Sequence, residues 1–141
     1  MKCILAALDV APSARDVLAA ARDLALATGA RLVLFRAPDV AVSELDTSVD
    51  ERRLDERMRA ELMRGLEALR DSMPKQLACS LVVGQGRRAT AICEAASDAK
   101  ADVIVVGAHG DGSQHGELGA VTSDVLEQAK CDVLVIKRRR T

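Results

Sequence analysis

The residues with the clearest chemical potential run Val103-Ile-Val-Val-Gly107-Ala-His-Gly110-Asp-Gly-Ser-Gln-His-Gly-Glu-Leu-Gly119-Ala-Val-Thr122. The stretch begins as β-branched apolar residues, the pattern of a strand buried on both faces. It then breaks into a loop with glycines at 107, 110, 112, 116 and 119. Val121, Val125, Leu126 and Ala129 follow at helical spacing. Strand, glycine loop and helix N-terminus in that order can cradle a phosphate. Glycines allow left-handed turns and close backbone approach, and the free N–H groups and dipole of a helix start favour an anion. The same glycines also fit an ordinary surface loop, so composition leaves both readings open.

Other chemistry finds less support. His109 and His115 are the only histidines, and with Asp111 they fall short of a zinc set, so no metal site is assigned. His109 reads as a loop residue whose backbone N–H faces the phosphate. No serine sits on a nucleophile elbow, and no Gly-x-x-x-x-Gly-Lys occurs. The loop carries no lysine or arginine to stabilise charge in phosphoryl transfer. No catalytic residue is assigned, and the chain is read as a non-enzyme with at most slow ATP turnover.

The elements that must hold this loop alternate along the chain. Cys3-Ile-Leu-Ala-Ala-Leu8 is a buried-strand run ending at Asp9, and Pro12 is placed to start a helix whose inner face carries Val17, Leu18, Ala21, Leu24, Ala25 and Ala27. Gly29 closes it. Leu32-Val-Leu-Phe35 is a second strand, stopped by Pro38. Ser48-Val-Asp-Glu51 is a capping box that opens a long amphipathic helix with Leu54, Met58, Leu62, Leu66, Leu69 and Met73 on one stripe, ended by Pro74. Leu77 to Val83 is a third strand, Gly84-Gln-Gly86 a turn, and Ala89 to Lys100 a short helix. Val133-Leu-Val-Ile136 is the last strand. Five buried strands alternating with four helices predict an α/β fold with a parallel sheet wound by helices on both faces. Ligands of such sheets bind beyond the carboxyl ends of the strands, where strand order reverses. Asp9 and Gly107 both stand just after strand ends.

Composition bounds the partners. The 141 residues predict one domain spanning 1–141. Phe35 is the sole aromatic residue and the net charge is −1, which argues against nucleic acid, and no apolar run reaches membrane-spanning length. Cys3, Cys79, Cys93 and Cys131 lie in or beside apolar runs without metal-binding spacing, so they read as buried free thiols of a cytoplasmic protein.

Five pieces in order carry a resemblance to a known family: Ile4-Leu-Ala-Ala-Leu-Asp9, Gly29-Ala-Arg-Leu-Val-Leu34, Ala101-Asp-Val-Ile-Val-Val-Gly-Ala-His-Gly110, Leu118-Gly-Ala-Val-Thr122 and Lys130-Cys-Asp-Val-Leu-Val-Ile136. Along essentially its whole length the chain resembles the universal stress protein family. The resemblance implies an adenine nucleotide alpha hydrolase-like, doubly wound five-stranded sheet in the order 3-2-1-4-5, which sets the first and fourth strands side by side. It implies a stress-response regulator that binds ATP or AMP, with Mg on the phosphates, as a switch in the crevice between those strands. It assigns Ala7, Leu8 and Asp9 to the adenine and ribose and Ala37 to the base. From the fourth strand onward it assigns Val106, Gly107, His109, Gly110, Gly119, Ala120, Val121 and Thr122 to the nucleotide.

The chain departs from the family's phosphate pattern in three places. Eight residues separate Gly110 from Gly119, one fewer than the pattern's nine. Ala120 replaces a hydroxyl residue, removing a bond to a charged group worth about 1.5–3 kcal/mol. Asp111 and Glu117 repel a polyphosphate unless a divalent cation lies between. The alternative is a non-enzymatic dimeric interaction protein of the same fold without nucleotide. In either case the resemblance implies a homodimer through Val133, Leu134, Val135 and Ile136, whose apolar edge would otherwise stand uncovered.

Overall fold

The computed structural model describes residues 1–8, 13–38, 49–108 and 118–137, with the backbone alone for 49–55. Nine elements alternate: β1 Cys3–Ala7, α1 Ser13–Thr28, β2 Arg31–Arg36, α2 Val49–Asp71, β3 Cys79–Val83, α3 Arg88–Ala99, β4 Val103–Gly107, α4 Ala120–Gln128 and β5 Asp132–Ile136. The strands form one sheet in the order β3-β2-β1-β4-β5, every pair parallel, as expected.

The strand period of two divides the core into two layers. Ile4, Ala6, Leu32, Leu34, Val103 and Val105 face Val17, Ala21 and Ala25 of α1 and Leu66 of α2. Leu5, Ala7, Val33, Phe35, Ile104 and Val106 face Ile92 of α3 and Val125 of α4. With a single aromatic ring available, small side chains must fill these layers, and the helices that cover the sheet are rich in alanine. Phe35 is fully buried against the backbone of Gly84; a Cβ there would lie 2.4 Å from the ring. Gly84 is therefore required by crowding.

Boundaries differ from the sequence reading in explicable ways. The third strand starts at Cys79 and not Leu77, because residues 74–77 form a turn closed by the Leu77 N–H on the Pro74 carbonyl. α3 stops at Ala99, and Lys100 takes the left-handed cap (φ 55°), a conformation that sequence patterns reserve for glycine. At α1 the expected glycine does this work, Gly29 at φ +73°. Pro12 and the Ser48 cap lie outside the described residues. Only Cys3 is fully buried; Cys79, Cys93 and Cys131 are half-buried. All four are free, and burial pushes each thiol upward, which keeps it protonated at neutral pH.

The sheet's centre is fastened at its lower end by Asp102. Its carboxylate Oδ2 accepts the Lys2 N–H at 2.6 Å and the Cys3 N–H at 2.9 Å, while its own N–H donates to the Cys3 carbonyl at 2.8 Å. The backbone donors at Lys2 and then Cys3 hold the carboxyl below its ordinary value of 3.8. A carboxyl lowered by folding stabilises the native state above its ordinary value, and the contribution vanishes as pH falls through the folded value. Urea midpoints measured from about pH 6 to about pH 2 should therefore fall more steeply for the native chain than for Asp102→Asn. Parallel acid limbs would show that this carboxylate does not couple β1 to β4.

Candidate functional site

β1 and β4 are neighbours, and their following helices leave in opposite directions: α1 over one face towards β2, α4 over the other towards β5. Strand order reverses between them, and a crevice is expected beyond their carboxyl ends at such a point. A small cleft, open to solvent, occupies it. Ala7 and Leu8 line it from β1, Ala37 from beyond β2, Val106 and Gly107 from β4, and Val121 and Thr122 from α4. These are seven of the residues named from the sequence. A second, wider groove lies at the opposite ends of α3 and α4, beside Cys93 and Cys131.

The remaining sequence-named residues fall differently. Gly119 is the N-cap of α4 and Ala120 its first residue; neither lines the cleft. The Gly119 N–H is committed to the Ala108 carbonyl at 2.8 Å, so it is not offered to an anion. The first-turn N–H groups of Ala120, Val121 and Thr122 have no intrahelical acceptor, and no side chain caps the helix start. Asp9, His109 and Gly110 lie outside the described residues, as do Asp111, His115 and Glu117.

Thr122 has a structural task. Its hydroxyl, on a residue only 5% exposed, donates to the Gly107 carbonyl at 2.6 Å and staples α4 to the end of β4. Gly107 has a different place from the one its glycine suggests. Its φ is not positive, and a Cβ there would meet Ser13 at an ordinary 3.5 Å on the α1 side. Neither backbone strain nor crowding in this structure demands glycine at 107.

Sequence reasoning missed three lining residues: Phe35, Ile92 and Arg88. Phe35 and Ile92 extend the apolar floor. Arg88 opens α3, is half-buried, and brings to the cleft the positive charge that the glycine loop lacks. The only available signal was topological, since a helix after β3 must begin at the same end of the sheet.

The sequence matches the universal stress protein family over residues 1–137. The chain belongs to that family. A universal stress protein of Thermus aquaticus, encoded in the 3′ region of a QAH/OAS sulfhydrylase gene, is 36% identical over 138 residues, covering 96% of this chain and 98% of the relative. Among solved structures, universal stress protein UspA from Lactobacillus plantarum superposes with a TM-score of 0.78 at 26% identity, over 96% of this chain and 97% of its own. A family member from Burkholderia pseudomallei gives 0.73 at 30%, over 96% and 95%. Among the described residues, no helix of this universal stress protein is long and apolar enough to cross a membrane, and no cluster of three metal-ligating side chains is present.

Replacing Thr122 tests the staple. Thr122→Val keeps the shape but leaves the Gly107 carbonyl without its donor. It should lower unfolding free energy by about 1–2 kcal/mol in urea titrations, while Thr122→Ser stays near the parent. A valine variant as stable as the parent would remove the hydroxyl from the account.

Proposed function

We propose that this protein is a stress-response regulator that binds an adenine nucleotide in the cleft beyond β1 and β4, as a switch and not as a substrate. The observation that carries the reading is the convergence of Ala7, Leu8, Ala37, Val106, Gly107, Val121 and Thr122 on one cleft at the switch point of the sheet. Two proteins of the same fold support the choice of ligand. One universal stress protein was solved in complex with cAMP (TM-score 0.64, 23% identity), and one from Arabidopsis thaliana with AMP bound (0.64, 18%). The apolar end, with Phe35, Ala37 and Ile92, takes the base; Asp9 and the end of β1 take the ribose. The phosphates meet the start of α4, where the N–H groups of Ala120 and Val121 and the helix dipole favour negative charge, with His109 and Gly110 completing the loop. Magnesium, when present, is carried by the phosphates; the described residues offer no cage for it.

The phosphate end is poorer than the base end. The Gly119 N–H and the Thr122 hydroxyl are spent inside the protein, and Ala120 has no hydroxyl. AMP and ADP should therefore bind about as tightly as ATP in calorimetry with Mg²⁺. Ala120→Ser should tighten ATP about tenfold and AMP less, the scale of one added bond to a charged group. Absence of heat with all three nucleotides at millimolar concentration would replace this reading with the alternative, an interaction protein that has lost its ligand.

We also propose a homodimer through β5. Leu134 is 39% exposed, Val133, Val135 and Ile136 are half-buried, and β5 has a strand neighbour on one side only. A two-fold partner strand would cover this edge and close the assembly at two. Light scattering should give a dimer for the intact chain and a monomer for Leu134→Asp. An intact chain of 15.0 kDa in solution would overturn the assignment.

A further inference from the structure

The second groove, away from the cleft, is lined by two thiols. It holds about 440 Å³, the size of a small-molecule site, and opens to solvent. Cys93 reaches it from α3, on the stripe that also brings Thr90 and Ser97 there. Cys131 reaches it from the residue just before β5. It shares a face with Val133 and Val135 and packs in the same layer as Cys93. Ala96, Ala101 and the fully buried Ile104 line the same groove, so the surroundings of the two sulfurs are largely apolar. Both cysteines are half-buried, and a small molecule can reach them. Cys3, by contrast, is fully buried, and Cys79 packs in the layer on the other side of the sheet.

Charge decides which ligand this pair suits. Burial raises both thiols, and charge on Cys131 then acts on Cys93 in the same direction. Divalent ions such as zinc bind thiolates and want further ligands. No cluster of three ligating side chains is present among the described residues. Trivalent arsenic, in contrast, joins two thiols in a neutral product. We propose that Cys93 and Cys131 form a dithiol site that chelates trivalent arsenicals, with an organic substituent on arsenic resting against Ile104, Ala96 and Ala101. With an arsine oxide, two S–H bonds break and two As–S bonds form. The two protons leave with the arsenic oxygen as one water. Arsenic stays trivalent, so no oxidant or reductant takes part. The second bond closes within the chain, which gives the pair an affinity that neither thiol has alone. The site is independent of the nucleotide cleft.

Phenylarsine oxide titrated into the reduced full chain tests the assignment, with intact mass spectrometry as the readout. One arsenical should bind per chain. A dithiol should remove it, and the same concentration of a monothiol should not. Trypsin cuts after Arg88, Lys100, Lys130 and Lys137, so the adduct should join peptides 89–100 and 131–137. Cys93→Ser and Cys131→Ser should each weaken binding about a hundredfold, the scale of an intramolecular second contact, while Cys79→Ser stays near the parent. Urea midpoints show that each variant is folded, and the peptide map, which needs no variant, decides where one is not. Absence of an adduct on the intact chain, or an adduct joining other cysteines, would overturn the inference. Binding at the parent's strength by folded Cys93→Ser or Cys131→Ser would overturn it too.

Discussion

The parallel pairing of β1 with β4 is the contact on which the rest of the structure depends. It joins Ile4 to Val103, Leu5 to Ile104 and Ala6 to Val105, residues about a hundred positions apart in the chain. Closing so long a loop costs entropy before any other long-range contact can repay it. The compensation is concentrated in the centre of the sheet. Ile4, Leu5, Ala6, Ile104 and Val105 are wholly removed from water, and Asp102 ties its lower end through two backbone donors. Once these strands lie side by side, right-handed crossovers send α1 and α4 to opposite faces. The crevice between their ends is then a consequence of connectivity and needs no residue of its own to open it.

This dependence explains what the sequence made legible. The strands of the centre read correctly because continuous runs such as Ile4 to Leu8 and Val103 to Val106 suit only a strand covered on both faces. The face of α1 read correctly at Val17, Ala21 and Ala25, which repeat with the helical period, but Ala27, expected on that face, is exposed in the last turn. The errors sit where tertiary contacts override local pattern. Lys100 ends α3 in a left-handed conformation that no propensity assigns to lysine, with its N–H on the Ser97 carbonyl. The first residues expected of β3 are drawn instead into a turn against Pro74.

The cleft was legible in the same uneven way. Ala7, Ala37, Val106 and Val121 could be named from family resemblance, since they occupy strand ends and a helix start in a recognisable order. What each group is free to do was not legible. Whether the Gly119 N–H faces an anion or the Ala108 carbonyl depends on how the chain re-enters after the loop, which sequence does not encode locally. The Thr122 hydroxyl stands in a nucleotide-binding pattern yet is spent on Gly107. Arg88 escaped notice for the opposite reason: one arginine at the first turn of a helix has no spacing to betray it.

The two edges of the sheet are unequal, and the inequality bears on the cleft. The long helix α2 packs along β3, whereas β5 receives only slight cover from α1 and α4. That edge is also joined to the cleft wall by a short run of backbone hydrogen bonds. The Ile136 carbonyl accepts the Ala108 N–H, the Ala108 carbonyl accepts the Gly119 N–H, and the Gly119 carbonyl accepts the Ser123 N–H, each at 2.8–3.0 Å. The last residue of the edge strand, the end of β4 and the first turn of α4 are thus parts of one hydrogen-bonded frame. A partner strand laid on β5 would rest on the backbone that fixes where α4 begins, and so on the position of Val121 and Thr122 in the cleft. Edge and cleft are physically continuous, and a change of geometry at one must be absorbed by the other or by breaking a bond between them.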